Sequence, residues 1–266
     1  MSDRLAAVRL TLVSVLLAAL VACTPASSVE RAHDHSRIPA GDGTERSVVG
    51  YSLDGLTLPG TAGTPGRYSF RIGTFRGTAQ TEFLTEQTKR MHVYVVRDDL
   101  AVFRHLHPTM AGDGTWSGSM TLAEPGRYRL VTEFVADDDG GLGDQVILGD
   151  WATVGPPTAP VPVPAAATSA SAMGLDIAVR TGPTLTVAVS KDGTPAELGT
   201  YLGVYAHVTG FQVATGAVVH LHALGAPDDG VLTFHSAFPA PGDYRLFVQV
   251  RVSGLVRTVP ITVTAS

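Results

Sequence analysis

The chain is nearly devoid of cysteine: among 266 residues only Cys23 is present. No disulfide can form within it, although exported proteins often rely on them. Blue-copper, zinc-finger and iron–sulfur centres are excluded as well, because each needs thiolates placed inside the fold. Lysine is almost as scarce, with 2 against 17 arginines, and the formal net charge is −5. The basic residues are scattered, so nucleic acid is not an expected partner. A convincing helical periodicity is missing throughout. So are the Gly-x-Ser-x-Gly elbow, the phosphate-binding loop and the dinucleotide fingerprint that would announce common catalytic chemistries.

Histidine is what the chain has in a meaningful arrangement. Seven of its 9 histidines fall in two matched clusters. Thirteen positions separate His92 from His105, and thirteen separate His207 from His220. Each second histidine opens a His-Leu-His triplet, His105-Leu106-His107 and His220-Leu221-His222, and His235 follows in the second cluster. The spacing marks an internal duplication, and each copy gathers imidazoles, the side chains suited to a borderline metal ion or to sensing pH.

The N-terminus reads as a targeting segment. Arg4 and Arg9 form a positive region ahead of an apolar run from Leu10 to Ala22, which is short for a bilayer span. Leu20-Val21-Ala22-Cys23 resembles the lipobox of bacterial lipoproteins. That resemblance implies a signal peptide at 1–22, lipidation of Cys23 and attachment of the protein to the outer side of the cell membrane through the lipid. The alternative is an ordinary secretory signal or an uncleaved anchor.

Composition divides the rest. Residues 23–48 read as a polar, disordered tether carrying His33-Asp34-His35. Residues 49–154 form a first domain, 155–173 a Pro/Ala-rich linker whose proline half is stiff, and 174–266 a second domain. In both domains short apolar runs alternate with Gly, Pro and Asp turns, the rhythm of an antiparallel sandwich. Strands are expected at 68–72, 91–97, 101–106, 114–122, 126–136 and 145–154, then at 185–190, 205–213, 218–223, 231–238, 242–252 and 255–264. The Asp-rich stretch 137–143 resembles a calcium loop only superficially and reads as a solvated hairpin tip. The fold class is therefore all-β, two tandem immunoglobulin-like sandwiches. Pro125-Gly126-Arg127-Tyr128 answers Pro241-Gly242-Asp243-Tyr244, and a Gly-x-Tyr at the start of a late strand is the pattern of a tyrosine corner.

The run Met91-His92-Val93-Tyr94-Val95-Val96, then Asp99-Leu100, then Phe103-Arg104-His105-Leu106-His107-Pro108, resembles secreted actinobacterial lipoproteins of the YtkA-like kind. These look like CopC-type copper-binding and other immunoglobulin-like domains. The echo at 201–222 departs by placing Ala223 where the first copy has Pro108. The resemblance implies the sandwich fold and export.

Strand geometry turns the spacing into a claim about space. Side chains alternate faces along a strand, so His105 and His107 point the same way. A two-residue turn at Asp98-Asp99 would set His92 opposite His105, on the same face as His107. In the second copy His207 is expected opposite His220 or His222, with His235 as a fourth member that favours this copy as the better site. Imidazoles without thiolate suit Cu(II) or Zn(II), and not Ca(II) or Mg(II). Met91, next to His92, should face the other way. The expected function is an extracytoplasmic metal-binding lipoprotein, with copper or zinc as the ion and a metal-exchange protein as a partner. Two alternatives stand beside it. One is a non-catalytic surface interaction module whose histidines are structural. The other is a metalloenzyme, which would need a carboxylate beside the cluster; Glu133 lies on an expected strand but its position relative to the histidines is open.

Overall fold

The computed structural model describes residues 39–137, 145–235 and 238–266. The leader, Cys23, the His33/His35 pair and residues 138–143 of the Asp-rich stretch lie outside them. No helix among the described residues is long and apolar enough to cross a membrane.

The first repeat runs through β1 (Ser47–Val48), β2 (Tyr51–Thr57), β3 (Gly66–Thr74), β4 (His92–Arg97), β5 (Phe103–Leu106), β6 (Thr109–Met110), β7 (Thr115–Met120), β8 (Gly126–Val135) and β9 (Gln145–Val154). The second runs through β10 (Ser169–Ala172), β11 (Leu175–Arg180), β12 (Thr184–Lys191), β13 (Thr194–Pro195), β14 (Leu198–Gly199), β15 (Ala206–Gln212), β16 (Val218–His222), β17 (Val231–His235), β18 (Gly242–Val252) and β19 (Leu255–Ala265). Every pairing between these named strands is antiparallel.

In the first sandwich a sheet of order β1-β2-β3-β7-β6 faces one of order β5-β4-β8-β9. In the second, β10-β11-β12 continues to β13 and β17 along one edge of β12, and faces a sheet in which β16 pairs β15, β15 pairs β18, and β18 pairs β19. The strands carrying the two histidine clusters, β4/β5 and β15/β16, occupy equivalent places. Both tyrosine corners are present: Tyr128 donates to the Glu124 carbonyl at 2.6 Å and Tyr244 to the Ala240 carbonyl at 2.8 Å.

The two histidine-bearing sheets are buried on both faces. Along β4, Val93 and Val95 enter the first sandwich's own core with Phe70, Trp116 and Leu130, whereas Tyr94 and Val96 enter a separate cluster with Phe103, Val131, Ile147, Phe211, Val218 and Phe247. Residues of both sandwiches make up this second cluster, so the inner sheets pack against each other and four sheets lie in succession around three cores. Double burial explains why β4 and β15 are buried at every position, the polar His92, Arg97, His207, Thr209 and Gln212 included. At the centre of the interface the rings of Phe103 and Phe247 stack at 4.3 Å, and Phe211 meets both edge-on at 6.1 Å. Arg129, itself buried, donates across the interface to the Gly216 carbonyl.

Two segments differ from the expectation of loose connections. Residues from Ala40 onward, assigned by composition to a disordered tether, are laid along β9: the Ala40 amide donates to the Gln145 carbonyl at 2.7 Å, and the amides of Ile147 and Gly149 donate to the carbonyls of Ala40 and Glu45 at 2.9 and 2.8 Å. They satisfy an otherwise unpaired sheet edge. The Asp42 carbonyl then accepts from the Val218 amide of the second sandwich at 2.8 Å. Glycine makes the passage feasible. Gly43 has φ +77°, and a β-carbon there would meet Val131 at 2.9 Å and Val218 at 3.1 Å. The Pro/Ala-rich linker is also docked. The Val161 amide donates to Asp99 Oδ2 at 2.9 Å, Val163 packs on the interface cluster, and the linker's last residues become β10.

Replacing Phe103 by alanine is expected to remove the central stack and cost about 3–5 kcal/mol. Scanning calorimetry should then resolve two unfolding transitions where the parent shows one. An unshifted single transition would show that the sandwiches are not coupled through this ring.

Candidate metal centre

The β4–β5 hairpin closes on a wider turn than the two-residue one expected. The Arg97 amide donates to the Val102 carbonyl at 3.0 Å, and Leu100 takes a left-handed φ of 58°. The buried guanidinium of Arg97 grips both carboxylate oxygens of Asp99 at 2.8 Å, and Asp99 in turn accepts from the Ala101 amide at 3.1 Å. Burial raises the Asp99 carboxyl, but the hydrogen bonds from Arg97 and the backbone outweigh it and hold it below its usual range. The register is therefore Tyr94 opposite His105 and Val93 opposite Leu106, and His92 comes level with His107 rather than His105. The slip is two residues, so no side chain changes face. In the second copy His207 is directly opposite His222 and Thr209 opposite His220.

Each copy forms a triad. His92, His105 and His107 each offer a ring nitrogen, and the three lie within 4.8 Å of one another; His207, His220 and His222 do the same. His92 Nδ1 lies 3.2 Å from His105 Nε2, which lies 3.2 Å from His107 Nε2. His207 Nδ1 lies 3.3 Å from His220 Nε2. A tetrahedral ion with metal–nitrogen bonds of about 2.0–2.1 Å separates its ligand nitrogens by roughly 3.3 Å.

The outer nitrogens fix the tautomers. Carbonyl oxygens only accept, so His92 Nε2 must carry its proton toward the Glu86 carbonyl at 3.0 Å, and His207 Nε2 toward the Tyr201 carbonyl at 3.0 Å. Both carbonyls are presented by matching tight turns with two successive residues at positive φ, Gln87 and Thr88 in one and Leu202 and Gly203 in the other. His105 Nδ1 donates to Gln249 Oε1 at 2.7 Å, and His220 Nδ1 to Glu133 Oε2 at 2.8 Å. A neutral imidazole has one N–H, so the facing nitrogens of His92 and His105, and of His207 and His220, present lone pairs to each other. Such pairs repel unless a cation lies between them. A proton is a poor candidate for that cation. Burial, then the neighbouring imidazoles, push His105 well below the ordinary histidine value; the same causes, with Lys89, take His107 down to about 3. Burial takes His207 down to about 4, against the opposing pull of the Tyr201 carbonyl.

The triads meet at the interface between the sandwiches. The His105 ring lies 5.7 Å from those of His207 and His220, and His92 lies 5.8 Å from His220. Tyr94, fully buried beside His105 and His220, donates its hydroxyl to Glu133 and lies 2.6 Å from His220 Nδ1. Burial, then the Glu133 carboxylate, raise its phenol well above the usual value. A cavity of about 10 Å³, lined by His92, His220, His222, Glu133, Glu86 and Lys89 among others, adjoins the centre.

Six of the seven histidines expected as ligands are thus brought together. His235 is not: it sits exposed at the end of β17, paired with Thr184 in the outer sheet. The second copy therefore has three histidines, not four, because β17 belongs to the opposite layer of the sandwich. Met91 faces the first core, as its neighbourhood to His92 requires. Tyr94, Gln249 and the placement of Glu133 are what the sequence reading lacked. A signal existed: Glu133 and Gln249 are polar residues at matched places within β8 and β18, and both lie in register with a cluster histidine, Glu133 with His92 and Gln249 with His207.

A family model described as a Domain of unknown function (DUF8832) matches residues 169–266, which is the second sandwich from β10 onward. No curated protein matches the chain. Among solved structures it is similar to a tetra-tandem repeat in the extending region of a large adhesion protein (14% identity, 81% of this chain and 48% of that one, TM-score 0.27). Others are invasin, a bacterial integrin-binding protein (13% identity, 80% and 39%, TM-score 0.21), and the FN1–FN3 domains of chicken CNTN1 (10% identity, 79% and 66%, TM-score 0.20). The chain spans about half or less of the first two.

The depressed histidines predict a pH dependence for the metal-free protein. A histidine whose folded value lies below its unfolded value near 6.5 binds more protons when unfolded, so it adds stability above that value and loses it as pH falls toward the folded value. Chelator-treated protein should therefore lose stability progressively from pH 6.5 down to the values near 4 and 3 of His207 and His107. Denaturant midpoints measured across that window should fall less steeply for His107→Gln. Equal slopes in the two proteins would show that His107 is not buried in its neutral form.

Proposed function

We propose that this protein binds metal ions at the cell envelope, held to the membrane through a lipid on Cys23, and that its two histidine triads take Cu(II), with Zn(II) as the next-best ion. The observation that carries the reading is the approach of two lone-pair nitrogens at 3.2 and 3.3 Å in both copies, with the remaining ring protons committed elsewhere. Three neutral imidazoles without thiolate or carboxylate ligands suit these two ions, and copper stands above zinc in intrinsic affinity for nitrogen sites. The outer hydrogen bonds to carbonyl, amide and carboxylate oxygens are the partners that orient ligating histidines in metal proteins. Binding is favoured over catalysis because Glu133, whose carboxylate reaches the second triad, accepts from Tyr94, His220 and Gln145 rather than facing an approaching substrate. A binding protein so placed would pass its ion to or from a partner in the same compartment.

The reading of the histidines as structural members of an interaction module draws support from their burial between two packed sandwiches. Metal titration separates the two. Calorimetric titration with Cu(II), then Zn(II), is expected to give two ions per chain at sub-micromolar affinity. His105→Ala/His107→Ala and His220→Ala/His222→Ala should each remove one, and His235→Ala neither. Millimolar affinity, or full stoichiometry in both double variants, would sink the metal reading.

A further inference from the structure

Each triad is oriented by a residue from the other sandwich. Glu133 lies level with His92 on the neighbouring strand of its own sheet, yet its carboxylate reaches His220 in the second triad. Gln249 lies level with His207, yet its amide oxygen reaches His105 in the first. The duplication makes Glu133 and Gln249 counterparts, as it does His105 and His220, so the exchange is reciprocal in geometry.

It is not reciprocal in charge. Glu133 receives donors on both oxygens, Gln145 Nε2 on Oε1 and the Tyr94 hydroxyl and His220 Nδ1 on Oε2, so that a carboxyl group stands where the other copy has an amide. Gln249 holds His105 with a neutral oxygen while its own amide donates to Thr258 Oγ1 at 3.1 Å. Tyr94 likewise has Thr209 as its counterpart, and the buried Thr209 hydroxyl makes no hydrogen bond. A carboxylate on the far nitrogen of a ligating histidine makes the near nitrogen a better electron donor. It also places a negative charge within a few ångströms of the ion in a poorly solvated site, where charges interact strongly.

Resting on the metal-binding reading above, we infer that the six histidines form one two-metal centre with unequal halves. Glu133 is the positioning residue that makes His207, His220 and His222 the tighter half, filled first; Gln249 leaves His92, His105 and His107 the weaker half, filled second. The first ion adds to the difference, because the rings of the two triads lie only 5.7–5.8 Å apart and a second cation enters against its charge.

The test is stepwise Cu(II) titration of the full-length protein in detergent, read by chelator competition and by electron paramagnetic resonance. The parent should show two resolved steps. His220→Ala/His222→Ala should abolish the tight step and keep the weak one, and His105→Ala/His107→Ala the reverse. Glu133→Gln should weaken the first step by about 10–100-fold, drawing it toward the second, and change the spectrum of the first-bound copper. Gln249→Glu should strengthen the second step; it carries the test alone if Glu133→Gln fails to fold. Retention of the tight step in His220→Ala/His222→Ala, or unchanged steps and spectra in both Glu/Gln exchanges, would overturn the inference. Two equal steps in the parent would overturn it while leaving metal binding intact, whereas no binding in the parent would remove the metal reading itself.

Discussion

The packing of one inner sheet against the other is the constraint on which everything else depends. It makes β4 and β15 buried on both faces, which places their histidines out of water. It also brings Glu133 and Gln249 within reach of rings they could not touch in their own sandwich. The apolar half of the interface, around Phe103, Phe211 and Phe247, supplies the attraction. Burying each such ring is worth about 1.5–3 kcal/mol, and this offsets the cost of enclosing a polar half composed of six imidazoles, a phenol and a carboxylate.

That polar half is arranged so that nearly every donor has an acceptor. Buried polar groups are tolerated when their hydrogen bonds are made, and here the outer nitrogens of His92, His105, His207 and His220 are each matched to an oxygen. The inner nitrogens are left facing one another. The protein thus spends its hydrogen-bonding capacity on orientation and keeps the lone pairs converging. The left-handed turns at Gln87-Thr88 and Leu202-Gly203 belong to the same arrangement. Non-glycine residues adopt that backbone at a cost of roughly 1–2 kcal/mol, and the strain at Thr88 persists where it presents the carbonyl that holds His92.

Much of this was legible in the sequence, for definable reasons. Short apolar runs bounded by Gly, Pro and Asp turns located most of the longer strands of both sandwiches, and the thirteen-residue spacing put three histidines on one face. The register error in the first hairpin did no harm because it was even; a turn longer by one residue would have sent His105 and His107 into the core. What was not legible came from contacts distant in sequence. Nothing local to His105 announces Gln249, and nothing local to His235 says that β17 crosses to the far sheet. The segment from Ala40 to Val48 misled by composition: polar, Gly-rich sequence reads as disorder, but Gly43 serves a close approach between Val131 and Val218. The alternation in β11, buried at every second residue, was available and unread.

The covalent joining of the two copies has a consequence of its own. Had the same interface formed between two identical chains, every residue in it would occur twice, and a glutamate at the position of Glu133 would bring a second buried carboxylate into the centre. Fusion into one chain releases the halves from that identity. One copy can keep a charge and the other can drop it, one a tyrosine and the other a threonine, while the shared backbone geometry remains. The linker docked at Asp99 and the strap at Asp42 hold the pairing as a fixed, intramolecular one, so the two halves can drift apart in chemistry without drifting apart in space.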